Sequence, residues 1–226
     1  MTFDLVNLLI LSVIGYLIGG FPSAYIWSKI ARNIDIQKVG TGNNGASNVY
    51  SNVGKSSGLF VFLFDALIKG YLPTFLLLRL EIPNGVLILS LLSLIAGHNW
   101  SVFLRFKGGR GVASSIGVIL GLGMWWQMII MVIGPGLIGR GLIYKDSAPW
   151  TIVSLILLIF ISLFYESQYF DTWFLIGLLV LIISKRILSN VYISYLKRNF
   201  LKVLFLRIVF DRDVADKTDW VKGDSL

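Results

Sequence analysis

The sequence predicts an all-α integral membrane protein of about seven transmembrane helices, its amino terminus outside and its carboxy terminus cytoplasmic. Three observations predict this. Of 226 residues, 56% are hydrophobic and 14% charged, against about 25% charge in soluble domains. The mean hydropathy is +0.78, and the apolar residues gather in runs long enough to cross a bilayer. Basic residues fall between those runs predominantly on one side, which sets orientation.

A hydrocarbon core of about 30 Å needs about 20 apolar residues per helix. Runs that meet or approach this lie at 5–31, 58–80, 86–103, 112–123, 124–142, 150–165 and 173–188. The first follows Met1-Thr2-Phe3-Asp4, which lacks a basic start, and ends in no small-residue cleavage site, so it is expected to stay in the membrane. The second carries Asp65 and Lys69, four apart and so on one helix face. Ionisable groups at that depth point either to a polar site or to a self-neutralising pair near the interface. The third ends at Gly97-His98-Asn99. The fourth is short and runs into the fifth around Gly121, Gly123, Met124 and Trp125, a shape tolerated where protein covers the interrupted backbone. The sixth and seventh are simple apolar runs.

With an odd number of crossings, Lys29, Arg32, Lys38 and Lys55 share the inner side with Arg105, Lys107, Arg110, Arg140, Lys145, Lys185 and Arg186. The outer side receives Arg79 with Asp4, Glu81, Glu166 and Asp171. Residues 1–188 therefore read as the membrane domain and 189–226 as a basic cytoplasmic tail. Within the tail, 190–210 mixes apolar with basic residues, as an interfacial helix or a plain basic tail would. The stretch 211–226 reads as charged and mobile.

Composition excludes several chemistries. Without cysteine there is no disulfide and no thiolate metal ligand, and with His98 as the single histidine a zinc site is not expected. No serine-hydrolase elbow appears. The net charge of +8 is accounted for by orientation and does not imply nucleic acid. Neither metal nor cofactor is expected.

Two polar stretches stand out, both on the inner side. The first, loop one, is Val39-Gly40-Thr41-Gly42-Asn43-Asn44-Gly45-Ala46-Ser47-Asn48. Its glycines let backbone N–H groups approach an anion, and its hydroxyls and amides supply hydrogen bonds. The same residue types also make ordinary solvated turns. It is not a P-loop, because Ala46 stands where lysine should be. The second, loop two, is Phe106-Lys107-Gly108-Gly109-Arg110-Gly111 with Ser114 and Ser115. It sets two cations around flexible backbone at the start of an apolar helix, which suits an anion as well as it suits a positive-inside turn. His98 serves equally well in packing or in acid–base work.

Taken together, Gly19-Gly20-Phe21-Pro22, Asp35-Ile36, residues 39–49, Asp65 with Lys69-Gly70, Gly97-His98 and residues 106–114 resemble the bacterial acyl-phosphate:glycerol-3-phosphate acyltransferase family. The blocks occur in the family's order and spacing, over roughly residues 15–117. The resemblance implies seven transmembrane helices and a cytoplasm-facing active site in the cell membrane. It implies acyl transfer from acyl phosphate to the 1-hydroxyl of glycerol 3-phosphate, giving lysophosphatidic acid for phospholipid biosynthesis, with no obligate protein partner.

By the same resemblance, the catalytic group is Lys107, Arg110, Asn43 and His98. The phosphate-binding group is Thr41, Gly42, Gly45, Ser47, Asn48, Gly108, Gly109, Gly111, Ser114 and Asn190, with Asp65 and Lys69 as a supporting pair. The acyl chain is expected in a groove between helices. The chain departs from the family where arginines are replaced by Gln37 and Ser51, and in the carboxy-terminal block, where only Asn190 corresponds. Those departures keep a second reading open: a non-catalytic relative that binds a phosphorylated lipid or metabolite, or scaffolds lipid enzymes. A small transporter fits less well, since both loops lie on one side.

Overall fold

The computed structural model describes residues 5–164, 169–188 and 200–216; these are mostly helical, with no strand among them. Five segments are long and apolar enough to cross a membrane: Leu5–Arg32, Lys55–Leu78, Asn84–Leu104, Trp125–Ile143 and Ser147–Phe164. Two of the expected seven fall short of that measure. Val112–Gly121 is an apolar helix of 10 residues, and Tyr169–Ile187 carries Asp171 near its start and Lys185 and Arg186 at its end.

The first run breaks where a single helix was expected. It forms α1 (Leu5–Gly20) and α2 (Ser23–Arg32), parted at Phe21-Pro22. Pro22 has no N–H for the ladder and disfavours helical backbone in the residue before it. Loop one leads into α3 (Ala46–Asn52), and the second run starts as α4 (Lys55–Leu63). A wide π turn follows over Phe64–Tyr71, ending in α5 (Leu72–Leu78). Pro73 withholds an N–H just beyond the wide turn, and next to it Thr74 Oγ1 donates to the Gly70 carbonyl at 2.8 Å.

The third run is α6 (Asn84–Asn99), the most deeply packed of the five spans, and Leu91, Leu94 and Ile95 along it are fully enclosed. Next come α7 (Val112–Gly121), α8 (Trp125–Met131) with a π continuation over Val132–Ile143 around Pro135, α9 (Ser147–Phe164) and α10 (Tyr169–Ile187). The fourth and fifth runs are thus separate helices, divided by a turn at Gly123 with φ 77°. The main core joins α6, α7, α9 and α10 through Leu91, Val118, Leu158, Phe174 and Leu178. A satellite core of Ala24, Ile36, Val49, Val53 and Val61 underlies loop one and fixes it to α2 and α4.

Helices α1 and α6 run parallel along a glycine seam, with Gly15 against Ser90, Gly19 against Leu94 and Gly97 against Tyr16 and Gly20. Without side chains at the contact, dispersion acts between backbones, the usual driving force for helix pairing in lipid. The other face of α1 leaves Leu9, Ile10, Val13 and Ile14 exposed as a lipid-facing belt. Parallel packing brings the carboxyl ends of α1 and α6 to one end of the bundle. Tyr16 Oη donates to the Trp100 carbonyl there, and Ser101 Oγ to that of Gly20.

The described part of the tail packs on the bundle. Residues 189–199 lie outside the described residues, but α11 (Phe200–Phe210) packs on α9 and α10 and buries Val203, Leu206 and Arg207. Nor is 211–216 loose: Arg212 and Asp213 are buried, Arg212 paired with Asp146 and Asp213 with Arg207. A polar tail that finds buried charge partners becomes part of the fold.

Gly97→Leu is expected to force α1 and α6 apart at a cost of about 3 kcal/mol, read as a clear fall in the unfolding midpoint in detergent. Gly134→Ala, where nothing lies within 4 Å of an added Cβ, is expected to leave the midpoint unlowered or slightly raised.

Candidate active site

At the shared end of α1 and α6 a small polar pocket is lined by Gly20–Ala24, Asn44, Lys69, His98, Ser101, Leu104, Gly108 and Gly109. The Lys69 amine is enclosed within it, its side chain 4% exposed. The amine lies 3.1 Å from Asp65 Oδ1, donates to the Phe21 carbonyl at 2.8 Å and reaches His98 Nδ1 at 3.1 Å. Asp65 Oδ1 also accepts from Ser23 Oγ at 2.6 Å. The Asp65–Lys69 pair is therefore an interior network and not an interfacial snorkel. The wide turn that carries both residues packs on α7, which supplies Ser114, 3.1 Å from His98 Nδ1.

This network assigns the histidine tautomer. An ammonium only donates, so His98 Nδ1 must accept and the ring proton sits on Nε2. Nε2 faces Gly109: a Cβ on that glycine would run into it and into the Asn44 carbonyl. Gly109 N–H donates to the His98 carbonyl at 3.0 Å, so loop two is folded back over the histidine. His98 presents a hydrogen-bond donor to the pocket and not a base.

The two polar loops meet here. Asn44 Nδ2 donates to the Lys107 carbonyl at 2.5 Å, and its Oδ1 is buried with no partner among the described residues. Asn48 is the internal strut of loop one, its amide donating to the Ile36, Val39 and Asn43 carbonyls at 3.0, 3.1 and 3.1 Å while Oδ1 accepts from Thr41 N–H. Left-handed backbone at Gly40 and Gly42 (φ 55° and 65°) lets the loop wrap around that amide. Thr41, Gly42 and Asn43 lie along its rim, Gly45 precedes α3 and Ser47 is exposed. Gly111 closes against Asn99.

The two loop-two cations part company. Lys107 is exposed. Arg110 is half-buried beside loop two and does not line the pocket itself: its Nε lies 2.9 Å from Asp211 Oδ2 and its Nη1 donates to the Lys185 carbonyl at 3.1 Å. Burial pushes the Asp211 carboxyl above its ordinary value, opposed by Arg110, Arg186 and Lys185. Asn190 lies outside the described residues. Sequence reasoning missed Ser23, Ser101 and Asp211. Ser23 directly follows the Gly-Gly-Phe-Pro break and was open to notice as a polar residue there. Beside loop two, from Val112 and Ser115 to Trp150 and Leu155, a largely apolar groove of about 180 Å³ lies between α7, the Pro135 segment, α9 and α10.

A multi-span helical bundle with a hydrogen-bonding pocket at one end and an apolar groove beside it defines an integral membrane protein built for a ligand that is polar at one end and greasy at the other. The family model described as Glycerol-3-phosphate acyltransferase matches residues 9–196, and the chain belongs to that family. Glycerol-3-phosphate acyltransferase 5 of Dehalococcoides mccartyi is 38% identical over 189 residues, covering 79% of this chain and 77% of that one. The corresponding enzyme of Prochlorococcus marinus is 42% identical over 128 residues, 57% of this chain and 63% of its own. The crystal structure of PlsY (YgiH), an integral membrane glycerol 3-phosphate acyltransferase, in its glycerol 3-phosphate form, matches with a TM-score of 0.70 at 25% identity, over 89% of this chain and 94% of that one. Its lysophosphatidic acid form shares the fold, with a TM-score of 0.67.

Asp65→Ala would strand the buried Lys69 ammonium and is expected to cost about 3–5 kcal/mol, seen as a lowered unfolding midpoint in detergent. Combining it with Lys69→Met should recover most of the loss. If the double variant is as unstable as the single, the pair is not what the charge on Lys69 depends on.

Proposed function

We propose that the chain transfers a fatty acyl group from acyl phosphate to the 1-hydroxyl of glycerol 3-phosphate, giving lysophosphatidic acid and inorganic phosphate, at the cytoplasmic face of the cell membrane. One observation carries the reading: in a chain of this family, Asn44 and the Lys107 carbonyl tie loop one to loop two directly over His98.

An acyl phosphate is a mixed anhydride and needs no further activation. The glycerol oxygen attacks the acyl carbon, the bond from that carbon to the phosphate oxygen breaks, and the departing phosphate takes the hydroxyl proton. The protein supplies orientation and charge stabilisation. Asn43 and Thr41 on the rim of loop one, with Lys107 and the loop-two backbone, hold phosphate oxygens; Arg110 adds a second cation. His98 Nε2–H donates to developing negative charge, held in place by Lys69 and Ser114. The groove beside α7 takes the acyl chain, and the lipid product leaves along it. Asn48 and the loop glycines act through the shape of loop one.

Orientation follows from charge. The pocket end of the bundle carries Lys29, Lys38, Lys107, Arg140 and Lys145, and the opposite end Arg79, Glu81 and Asp171, which supports a cytoplasmic site under the positive-inside rule. The seven-crossing topology completes this assignment, with Val112–Gly121 and Tyr169–Ile187 as the two further crossings.

Purified protein is expected to move labelled acyl from acyl phosphate to glycerol 3-phosphate. Lys107→Ala and His98→Ala should each lower kcat/KM by about a hundredfold, the usual loss for one preorganised donor. Absence of turnover in wild-type protein, or indifference to both substitutions, would overturn the proposal. Because the chain has no cysteine, topology is directly testable: a cysteine at exposed Ser47 should react with impermeant reagent only from the cytoplasmic side, and one at Gly85 only from outside.

A further inference from the structure

The tail beyond the family-matched residues 9–196 ends α11 against the loop-two arginine. We propose that Asp211 is a positioning residue for the reaction, orienting the Arg110 guanidinium that binds substrate phosphate. This rests on the phosphate-binding reading of Arg110 given above.

Four observations carry it. The Asp211 carboxylate and the Lys185 carbonyl hold Arg110 from two sides, at 2.9 and 3.1 Å. They engage Nε and Nη1 and leave the other N–H groups of the fork to a ligand. An arginine side chain has many rotamers to lose when a ligand orders it, and ordering it beforehand removes that cost from ligand binding.

Secondly, Asp211 is not needed to dock the tail. Arg207 grips Asp213 with two hydrogen bonds, at 2.5 and 2.8 Å, and donates to the Ile187 carbonyl at 2.7 Å. Arg212 pairs with Asp146, and Arg186 Nη1 donates to the Ile208 carbonyl at 2.6 Å. Thirdly, the Asp211 backbone is left-handed, φ 56°, at the position just after a helix that usually goes to glycine or asparagine. The chain accepts a strained residue there, and that turn delivers the carboxylate to Arg110. Fourthly, Asp211 Oδ1 and Arg110 Nε are both buried without a well-aligned hydrogen bond among the described residues, so charge holds the pair at 2.9 Å.

The same docking excludes a removable plug. A carboxylate competing with phosphate for Arg110 would have to leave when substrate arrives, yet Asp211 belongs to a turn pinned by the neighbouring Arg212 and Asp213 pairs. Substrate phosphate meets the Arg110–Asp211 pair intact.

The test is a double-mutant cycle in full-length protein, with acyl phosphate and glycerol 3-phosphate as substrates. Asp211→Asn is expected to raise KM for glycerol 3-phosphate about tenfold, the lower range for losing a partner that orients a ligating group, with kcat changed much less. Asp211→Glu should restore part of the difference, and Arg110→Ala with Asp211→Asn should be no worse than Arg110→Ala alone. Unfolding midpoints identify which variants fold; if Asp211→Asn does not, the same cycle run with Asp211→Glu decides, with a smaller rise in KM expected. An unchanged or lowered KM in a folded Asp211 variant, or losses that multiply in the double variant, overturns the inference. If Arg110→Ala itself leaves KM unchanged, the phosphate-binding reading of Arg110 falls and this inference falls with it. Impaired Arg110→Ala beside silent Asp211 variants overturns only the orienting role.

Discussion

A lysine amine enclosed in protein at membrane depth must keep its charge satisfied from every side, and much of the pocket is arranged to do so. Lys69 draws Asp65 from its own helix, a backbone carbonyl from the break after α1, and the histidine at the end of α6. Each partner comes from a different segment, so the amine works as a joint between the helices that line the pocket. The glycine seam between α1 and α6 makes the joint reachable: it sets the ends of both helices side by side, close enough for one amine to contact both.

The membrane class, the apolar runs and the two polar loops were legible in the sequence because each is a local property of composition or spacing. The convergence of the loops was half legible. The charge rule placed them on one side, but the bond from Asn44 to the Lys107 carbonyl depends on how loop one sits on its satellite core. The break at Pro22 was written in the sequence and was overridden by the length of the apolar run around it. Arg110 shows the limit most plainly. Its charge and position in loop two mark it as a phosphate ligand, yet its neighbour Asp211 lies far along the chain in a tail that reads as solvated. Nothing local distinguishes an aspartate that is left in water from one that folds back onto an arginine.

On the proposed function, the site divides its labour by element. Loop one supplies shape, through an asparagine whose amide is engaged by its own backbone. Loop two supplies cations and the backbone that closes over His98. The helices below supply a fixed proton position on the ring, and the groove beside α7 supplies the apolar half. Such a division suits a ligand with an anionic head and a hydrocarbon tail, because each half meets a surface of its own kind without either crossing the other.

The contact from Lys69 to the Phe21 carbonyl has a further consequence. The Phe21 ring is exposed, while the atom that matters belongs to the main chain. Replacing the side chain therefore leaves that carbonyl in place, and a substitution at 21 disturbs the ring's packing on Phe64 and its share of the pocket wall but not the contact to Lys69. What preserves that carbonyl is the interruption of the helix itself, and the heritable information for it resides next door, in the imino acid at 22.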